Sequence, residues 1–402
     1  MPDIEEYEED EYYKDQSEFL LDLYSHVKQY ESNTGRSVLP ALLPVYQSLP
    51  AVWSINLSER KASLLLEVLK LQTEKKPVEL RDCSDEESEV RSFLQCLPYI
   101  SQLRFKEFDP KQGEKEQEKR WRTFKLDLCL QAALHQPQYI QQTVQKVMTY
   151  NYKQKVMPDI EYYDEDEYYE EQSDFLLDLY SHVKQYESNT GRSVLPALLP
   201  VYQSLPPDWS INLSERKASL LLEVLKLQTE KKPVELIDCS DEESEVRSFL
   251  QCLPYISQLR FKEFYSEQGE EEREKRWRTF KLDLCLQAAL HQPQNFWQTV
   301  QKVMPFYYKE ESDFLLDLYS HVKQYESNTG RSVLPALLPV YQSVPEVWSI
   351  NLSERKASLL LEVLKLQTEK KPVVLRDCSD EESEVRSFLQ CLPYISQLRF
   401  KE

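Results

Sequence analysis

Pro77-Val-Glu-Leu-Arg-Asp-Cys-Ser-Asp-Glu-Glu-Ser-Glu-Val-Arg-Ser-Phe-Leu-Gln-Cys-Leu-Pro-Tyr-Ile-Ser-Gln-Leu-Arg-Phe105 is the stretch whose reading decides the fold. At its start Val78 and Leu80 alternate with Glu79 and Arg81, the period-two pattern of a half-buried strand. Ser84-Asp-Glu-Glu87 then has capping-box spacing and opens a helix with Val90, Phe93, Leu94 and Leu97 at i, i+3, i+4 and i+7. Period two returns where Leu103 and Phe105 alternate with Gln102 and Arg104. Strand, helix, strand within so short a span calls for a parallel crossover.

Upstream, Trp53, Ile55 and Leu57 alternate with Ser54 and Asn56, and a leucine-dense helix (Leu64, Leu65, Leu66, Val68, Leu69, Leu71) leads on to Pro77. Leu57, Leu80 and Phe105 mark equivalent points of three strands, at steps of 23 (57 to 80) and 25 (80 to 105) residues. That is the period of a leucine-rich repeat. Before Trp53 the pattern predicts two helices. Ser17 caps the first, whose apolar positions are Phe19, Leu20, Leu23, Val27 and Tyr30 and which ends near Gly35; Ser37 opens the second, punctuated by proline, through Leu39, Leu42, Leu43 and Val45. The expected fold is α/β, a helix-rich, leucine-rich-repeat-like solenoid of short parallel strands and helices. An all-helical solenoid, with the three strands as loops, is the alternative.

The stretch recurs. Residues 17–105 return at 173–261 and again at 312–400, the first two copies differing only at Glu18/Asp174, Ala51/Pro207, Val52/Asp208 and Arg81/Ile237. The connector also repeats, Glu118 to Cys129 matching Glu274 to Cys285, with a helix expected around Trp121 to Leu134 although its alternation also fits a strand. The organisation read from this is an acidic, tyrosine-rich leader (1–16), a repeat module (17–105), a helical connector (106–156), an acidic tyrosine-rich linker (157–172), a second module (173–261), a second connector (262–311) and a third module (312–402). Met1-Pro-Asp-Ile4 equals Met157-Pro-Asp-Ile160, so the expectation is a piece of a longer array, without distinct caps at its ends.

A formal charge of -20 repels phosphate backbones and anionic lipid, so neither nucleic acid nor an acidic membrane surface is an expected partner. With 5 glycines in 402 residues, phosphate-cradling loops are not expected either, and no cofactor or metal is assigned. The 8 cysteines contain no C-x-x-C pair and read as small buried hydrophobes of a reducing compartment. The N-terminus has no apolar stretch, and the uncharged run Ser37 to Leu57 contains Pro40, Pro44 and Pro50 and gains Asp208 and Glu346 in its later copies. No signal peptide and no membrane helix are therefore expected, and the localisation expected is cytoplasmic.

Leu80-Arg-Asp-Cys-Ser-Asp-Glu-Glu, the helix Val90-Arg-Ser-Phe-Leu-Gln-Cys-Leu97 and Ser101-Gln-Leu-Arg-Phe105 resemble the degenerate, helix-rich leucine-rich-repeat region of NOD-like (NACHT–LRR) receptor-type proteins. The likeness covers the second half of each copy and not the helical pair Ser17 to Leu49 or the connector. It implies a partner-sensing array of the kind used in innate immunity. No G-x-x-x-x-G-K-[ST] is present, so the ATPase switch of that family does not carry over, and the asparagine ladder of regular leucine-rich repeats is missing in most units.

If Val78 and Leu80 face the core, Ser54, Asn56, Glu79, Arg81, Gln102 and Arg104 share the opposite face of the sheet. The copies vary there: Glu79 corresponds to Glu235 and Val374, Arg81 to Ile237 and Arg376, while the inward positions stay constant. The turn Leu49 to Val52 is the other varying cluster. Those ten residues form the expected face for a protein partner, though free drift of exposed positions explains the same changes. The other signals have bland readings beside sharp ones. His26, His182 and His321 lack a second ligand at metal spacing, and His135 and His291 precede Gln-Pro at a helix end. Asn56-Leu-Ser58, Asn212-Leu-Ser214 and Asn351-Leu-Ser353 read as strand ends and caps rather than glycosylation sites. The acidic stretches Glu5 to Tyr13 and Glu161 to Tyr169 read as solvated linkers or as tyrosine-kinase substrates, and Trp53, Trp209 and Trp348 as core anchors. The function expected is a non-enzymatic interaction scaffold. An enzyme with a groove site between repeats is the remote alternative, since nearly interchangeable copies offer no unique polar cluster.

Overall fold

The structure is a computed structural model that describes residues 4–57, 61–84, 86–106, 114–148, 165–262, 270–304, 308–352, 356–377 and 381–400. Cys378, Ser58, Ser353 and the first residues of the acidic segment Glu161 to Tyr169 lie outside them. The chain divides into two compact units, Met1–Pro206 and Pro207–Glu402.

In the first unit the order is α1 (Ile4–Thr34), α2 (Leu39–Ser48), β1 (Trp53–Asn56), α3 (Ala62–Leu69), β2 (Lys76–Asp82), α4 (Glu87–Leu94), β3 (Ile100–Phe105), the connector helices α5 (Glu114–His135) and α6 (Ile140–Met148), then α7 (Glu165–Thr190) and α8 (Leu195–Ser204). β1, β2 and β3 form one parallel sheet in that order. Trp53 stands opposite Val78 and Val78 opposite Leu103, a step of 25 residues each time (53 to 78 to 103). The strands follow the expected alternation: Trp53, Ile55, Val78, Leu80, Leu103 and Phe105 are buried, together with Leu65, Val68 and Leu69 of α3 and Phe93 and Leu94 of α4. Each such side chain contributes about 1.5–3 kcal/mol through the water it sheds.

The second unit holds β4 (Trp209–Asn212), α9 (Ala218–Leu225), β5 (Lys232–Asp238), α10 (Glu243–Cys252), β6 (Ile256–Phe261), the connector helices α11 (Glu270–His291) and α12 (Phe296–Val303), and then the third copy. That copy is α13 (Tyr308–Thr329), α14 (Leu334–Ser343), β7 (Trp348–Asn351), α15 (Ala357–Leu364), β8 (Lys371–Asp377), α16 (Glu382–Cys391) and β9 (Ile395–Phe400). Its sheets β4-β5-β6 and β7-β8-β9 repeat the parallel register and are separate from each other. The three-stranded sheets rule out the all-helical alternative. Within this unit they also depart from one continuous repeat sheet, because the connector and a helical pair intervene between β6 and β7.

Several local expectations need correction. Ser17 is no cap: α1 runs unbroken from Ile4, and α7 from Glu165, so the acidic leader and linker continue into the module's own helix. Carboxylates early in a helix suit the positive end of its dipole. Ser17 is buried instead, its Oγ accepting the N–H of Ser54 at 2.9 Å. The strand edge needs an acceptor there, and a mid-helix serine supplies it. Helix α1 does end as expected. Gly35 takes φ +67° and donates to the Glu31 carbonyl at 2.8 Å, a left-handed stop that glycine adopts without penalty. Helix α2 is preceded by Val38, whose side chain has no acceptor to cap it, so Glu31 reaches across the turn and its Oε1 accepts the N–H groups of Val38 (2.6 Å) and Leu39 (2.8 Å). Those two donations hold the Glu31 carboxyl below its ordinary value. Glu187 is also lowered: burial pushes it up, but the N–H groups of Leu195 and Val194 outweigh that. Cis peptide bonds precede Pro50, Pro206 and Pro345.

The run Ser37 to Leu57 becomes α2, a turn and β1. No described helix is long and apolar enough to cross a membrane. The connector is helical, and it adds to the one helix expected there a second, with Ile140, Thr143, Val144 and Val147 buried.

Candidate interaction surface

The register places Ser54, Glu79 and Arg104 in one row across the first sheet, with Ser210, Glu235 and Arg260 in the second and Ser349, Val374 and Arg399 in the third. Ser54, Glu79 and Arg104 therefore share a face, whereas a bulge after Ile55 sets Asn56 opposite Asp82 rather than Arg81. The face is less open than alternation suggests. Ser54 and Glu79 are buried, with the Ser54 hydroxyl donating to Glu79 Oε2 at 3.3 Å, and Ile237 is buried too. Helix α1 packs along β1, which sequence alternation cannot reveal: it assigns a side, not what lies over it. In the third copy Arg376 is enclosed, donating to Asp313 of α13 at 2.5 Å and to the Ser349 carbonyl at 3.4 Å. Lys356 joins the same acidic helix start through Asp313 (3.4 Å) and Asp317 (3.3 Å). Asn56, Arg81, Gln102, Arg104, Glu235 and Val374 are half-buried.

The outer arginine of each row is the part that faces solvent and varies its partner. Arg104 donates to Gln102 at 2.9 and 3.2 Å, and Arg399 to Gln397 at 2.7 Å. Arg260 instead donates to Asp208 at 2.8 Å. Asp208 belongs to the variable turn before the first strand, where the first copy has Val52. In the second copy the variable turn thus reaches the row through its constant arginine, which stands opposite the varying position Glu235.

At the carboxyl ends of β4 and β5 a cleft of about 180 Å³ is lined by Asn212, Ile237, Asp238, Cys239, Arg276 and Trp277 among others. Such strand ends are the usual ligand position in parallel sheets. Here the polar groups are engaged with one another: Arg276 lies 3.3 Å from Asp238 and donates to the Cys239 carbonyl. Asn212 accepts from the backbone and hydroxyl of Ser214 at 3.0 and 2.6 Å, the turn role expected of that sequon.

Two of the histidines have structural partners. His182 meets Asp127 of α5 at 2.9 Å, and His321 meets Asp283 of α11 at 2.8 Å. Each connector thus touches the module after it, where Arg122 and Asp178 also pair, as do Arg278 and Asp317. Among the described residues no cluster of three or more metal-ligating side chains exists. The seven described cysteines are buried thiols with no disulfide among them, and burial pushes the thiol of Cys391 up to about 12. Trp53, Trp209 and Trp348 are fully enclosed anchors.

Each connector also grips the module before it. Trp121 meets Phe105 edge-on at 5.3 Å, Lys125 lies 4.3 Å from the same ring, and Lys146 donates to the carbonyls of Leu97 and Ile100 at 2.6 and 2.7 Å. What this arrangement does chemically is hold helices against repeated apolar faces by aromatic, cationic and hydrogen-bonded contacts. Comparison of the chain with family models, with curated proteins and with solved structures returned no match.

Proposed function

We propose that this chain is a non-enzymatic protein-interaction scaffold, a leucine-rich-repeat-like array resembling the sensing region of NOD-like receptors. One observation carries the reading: near-identical modules each build the same parallel sheet with the same outer arginine, and the copies vary beside it, at Glu79/Glu235/Val374 and in the turn that supplies Asp208 in the second copy. A surface repeated from module to module suits a protein partner, and the partner-sensing role in innate immunity is part of the proposal. Buried thiols with no disulfide among the described residues favour a reducing cytoplasmic setting. The net charge of -20 favours a partner without phosphate-rich surface.

The test uses photo-crosslinking residues introduced at Gln102 and Gln258 on the arginine side, and at Lys70 and Lys226 on exposed helix ends, in the intact chain in cells. Partners captured from the first pair and not from the second support the proposal. Identical capture from both pairs overturns it.

A further inference from the structure

In the second unit the face formed by α10, the segment after it and β6 receives α11 and α12. Trp277 meets the Phe261 ring edge-on at 5.2 Å, and Lys281 lies 4.2 Å from its centre. Phe280 packs on Phe249 at 6.2 Å, and Lys302 donates to the carbonyls of Leu253 and Ile256. Under that cover Val246, Leu250 and Leu253 are buried.

The third copy carries the same face residue for residue: Val385, Phe388, Leu389, Leu392 and Phe400 stand where Val246, Phe249, Leu250, Leu253 and Phe261 stand in the second. Among the described residues no helical pair lies over it. Leu389 is 55% and Phe400 67% exposed, and Val385 and Leu392 are exposed beside them. Contiguous apolar residues in that state mark an interaction site, and the covered copies specify what fits.

We infer that the face of α16 and β9 docks an amphipathic helical hairpin of connector chemistry. Its first helix carries an aromatic residue, a second aromatic three residues on, and a lysine directly after; its second helix supplies a lysine to the carbonyls of Leu392 and Ile395. The aromatic pair fills the hollow around Phe400 and Phe388, and the first lysine lies against the Phe400 ring, a cation–π contact. This names a surface and a partner class for the scaffold reading. It rests on helix packing, however, and stands even if the polar rows bind nothing.

The probe is a fluorescein-labelled peptide of residues 270–304, titrated into the full chain and followed by anisotropy. Saturable binding is expected, weakened at least tenfold by Leu389→Asp and by Phe400→Ala in the chain, and by Phe280→Ala/Lys281→Ala in the peptide. Leu389 is exposed, so Leu389→Asp leaves the circular dichroism unchanged. Absent binding, or binding indifferent to Leu389→Asp, overturns the inference. So does self-association of the chain that Leu389→Asp abolishes, which would make a second copy the occupant. Binding lost in Arg104→Glu/Arg260→Glu but kept in Leu389→Asp would place the peptide on the polar rows, overturning this inference and leaving the scaffold reading intact.

Discussion

Replacing the same phenylalanine in two copies should have very different consequences. Phe19 and Phe175 sit in almost identical helices, Ser-Glu-Phe-Leu-Leu-Asp-Leu-Tyr and Ser-Asp-Phe-Leu-Leu-Asp-Leu-Tyr. Phe19 is 65% exposed and Phe175 8%, because α5 packs against α7. The difference, 57 percentage points (65 minus 8), corresponds to roughly 110 Å² of an aromatic residue that buries about 200 Å², or about 3 kcal/mol at about 25 cal/mol per Å². A cavity term brings Phe175→Ala to about 3–5 kcal/mol. Phe19→Ala should cost only about 1 kcal/mol, because the roughly 70 Å² that Phe19 still shields is worth about 1.8 kcal/mol and alanine's better helix propensity offsets about 0.5 kcal/mol of it. Peptides from the copies share sequences, so the readout is global urea unfolding by circular dichroism rather than peptide-level exchange. Equal shifts for the two variants would refute the reasoning that the connector covers one helix and not the other.

Ser17→Ala and Ser312→Ala should each cost about 1–3 kcal/mol in the same assay, since each leaves the N–H of Ser54 or Ser349 without the acceptor that now sits at 2.9 Å. Gly191→Ala should cost about 1–2 kcal/mol through its left-handed φ of +69° alone, as no atom lies within 4 Å of the added methyl; Gly191→Asn should cost less in thermal unfolding. Glu187 has its carboxyl lowered in the fold, so its contribution is complete above its ordinary value of 4.5 and disappears as pH falls through the lowered one. Unfolding curves of wild type and Glu187→Gln should therefore differ at pH 6 and converge towards pH 2; a gap that persists in acid would contradict the tether.

The strands and the helices between them were legible because alternation and leucine spacing respond to a face the segment buries itself. Val78, Leu80, Phe93 and Leu103 report that face directly. Helix α6 is equally written in Ile140, Thr143, Val144 and Val147, at helical spacing, but the stronger signal of α5 overshadows it. What could not be read locally is what depends on a neighbour. Ser17 looks like a cap until β1 lies alongside it, Glu79 looks exposed until the Ser54 hydroxyl meets it across the sheet, and Phe19 matches Phe175 in sequence while differing from it in surroundings. The partners of His182 and His321 likewise come from connectors 55 and 38 residues away.

The parallel sheet within each module underlies everything else, and its register can be trapped covalently. Glu79 stands opposite Arg104, on the same side of the sheet, while Leu103 points to the other. Mild oxidation of the Glu79→Cys/Arg104→Cys chain should join those two positions, as peptide mapping under non-reducing conditions would show, and Glu79→Cys/Leu103→Cys should remain unjoined. Joining in the second variant and not in the first would mean that the strands do not pair at this register.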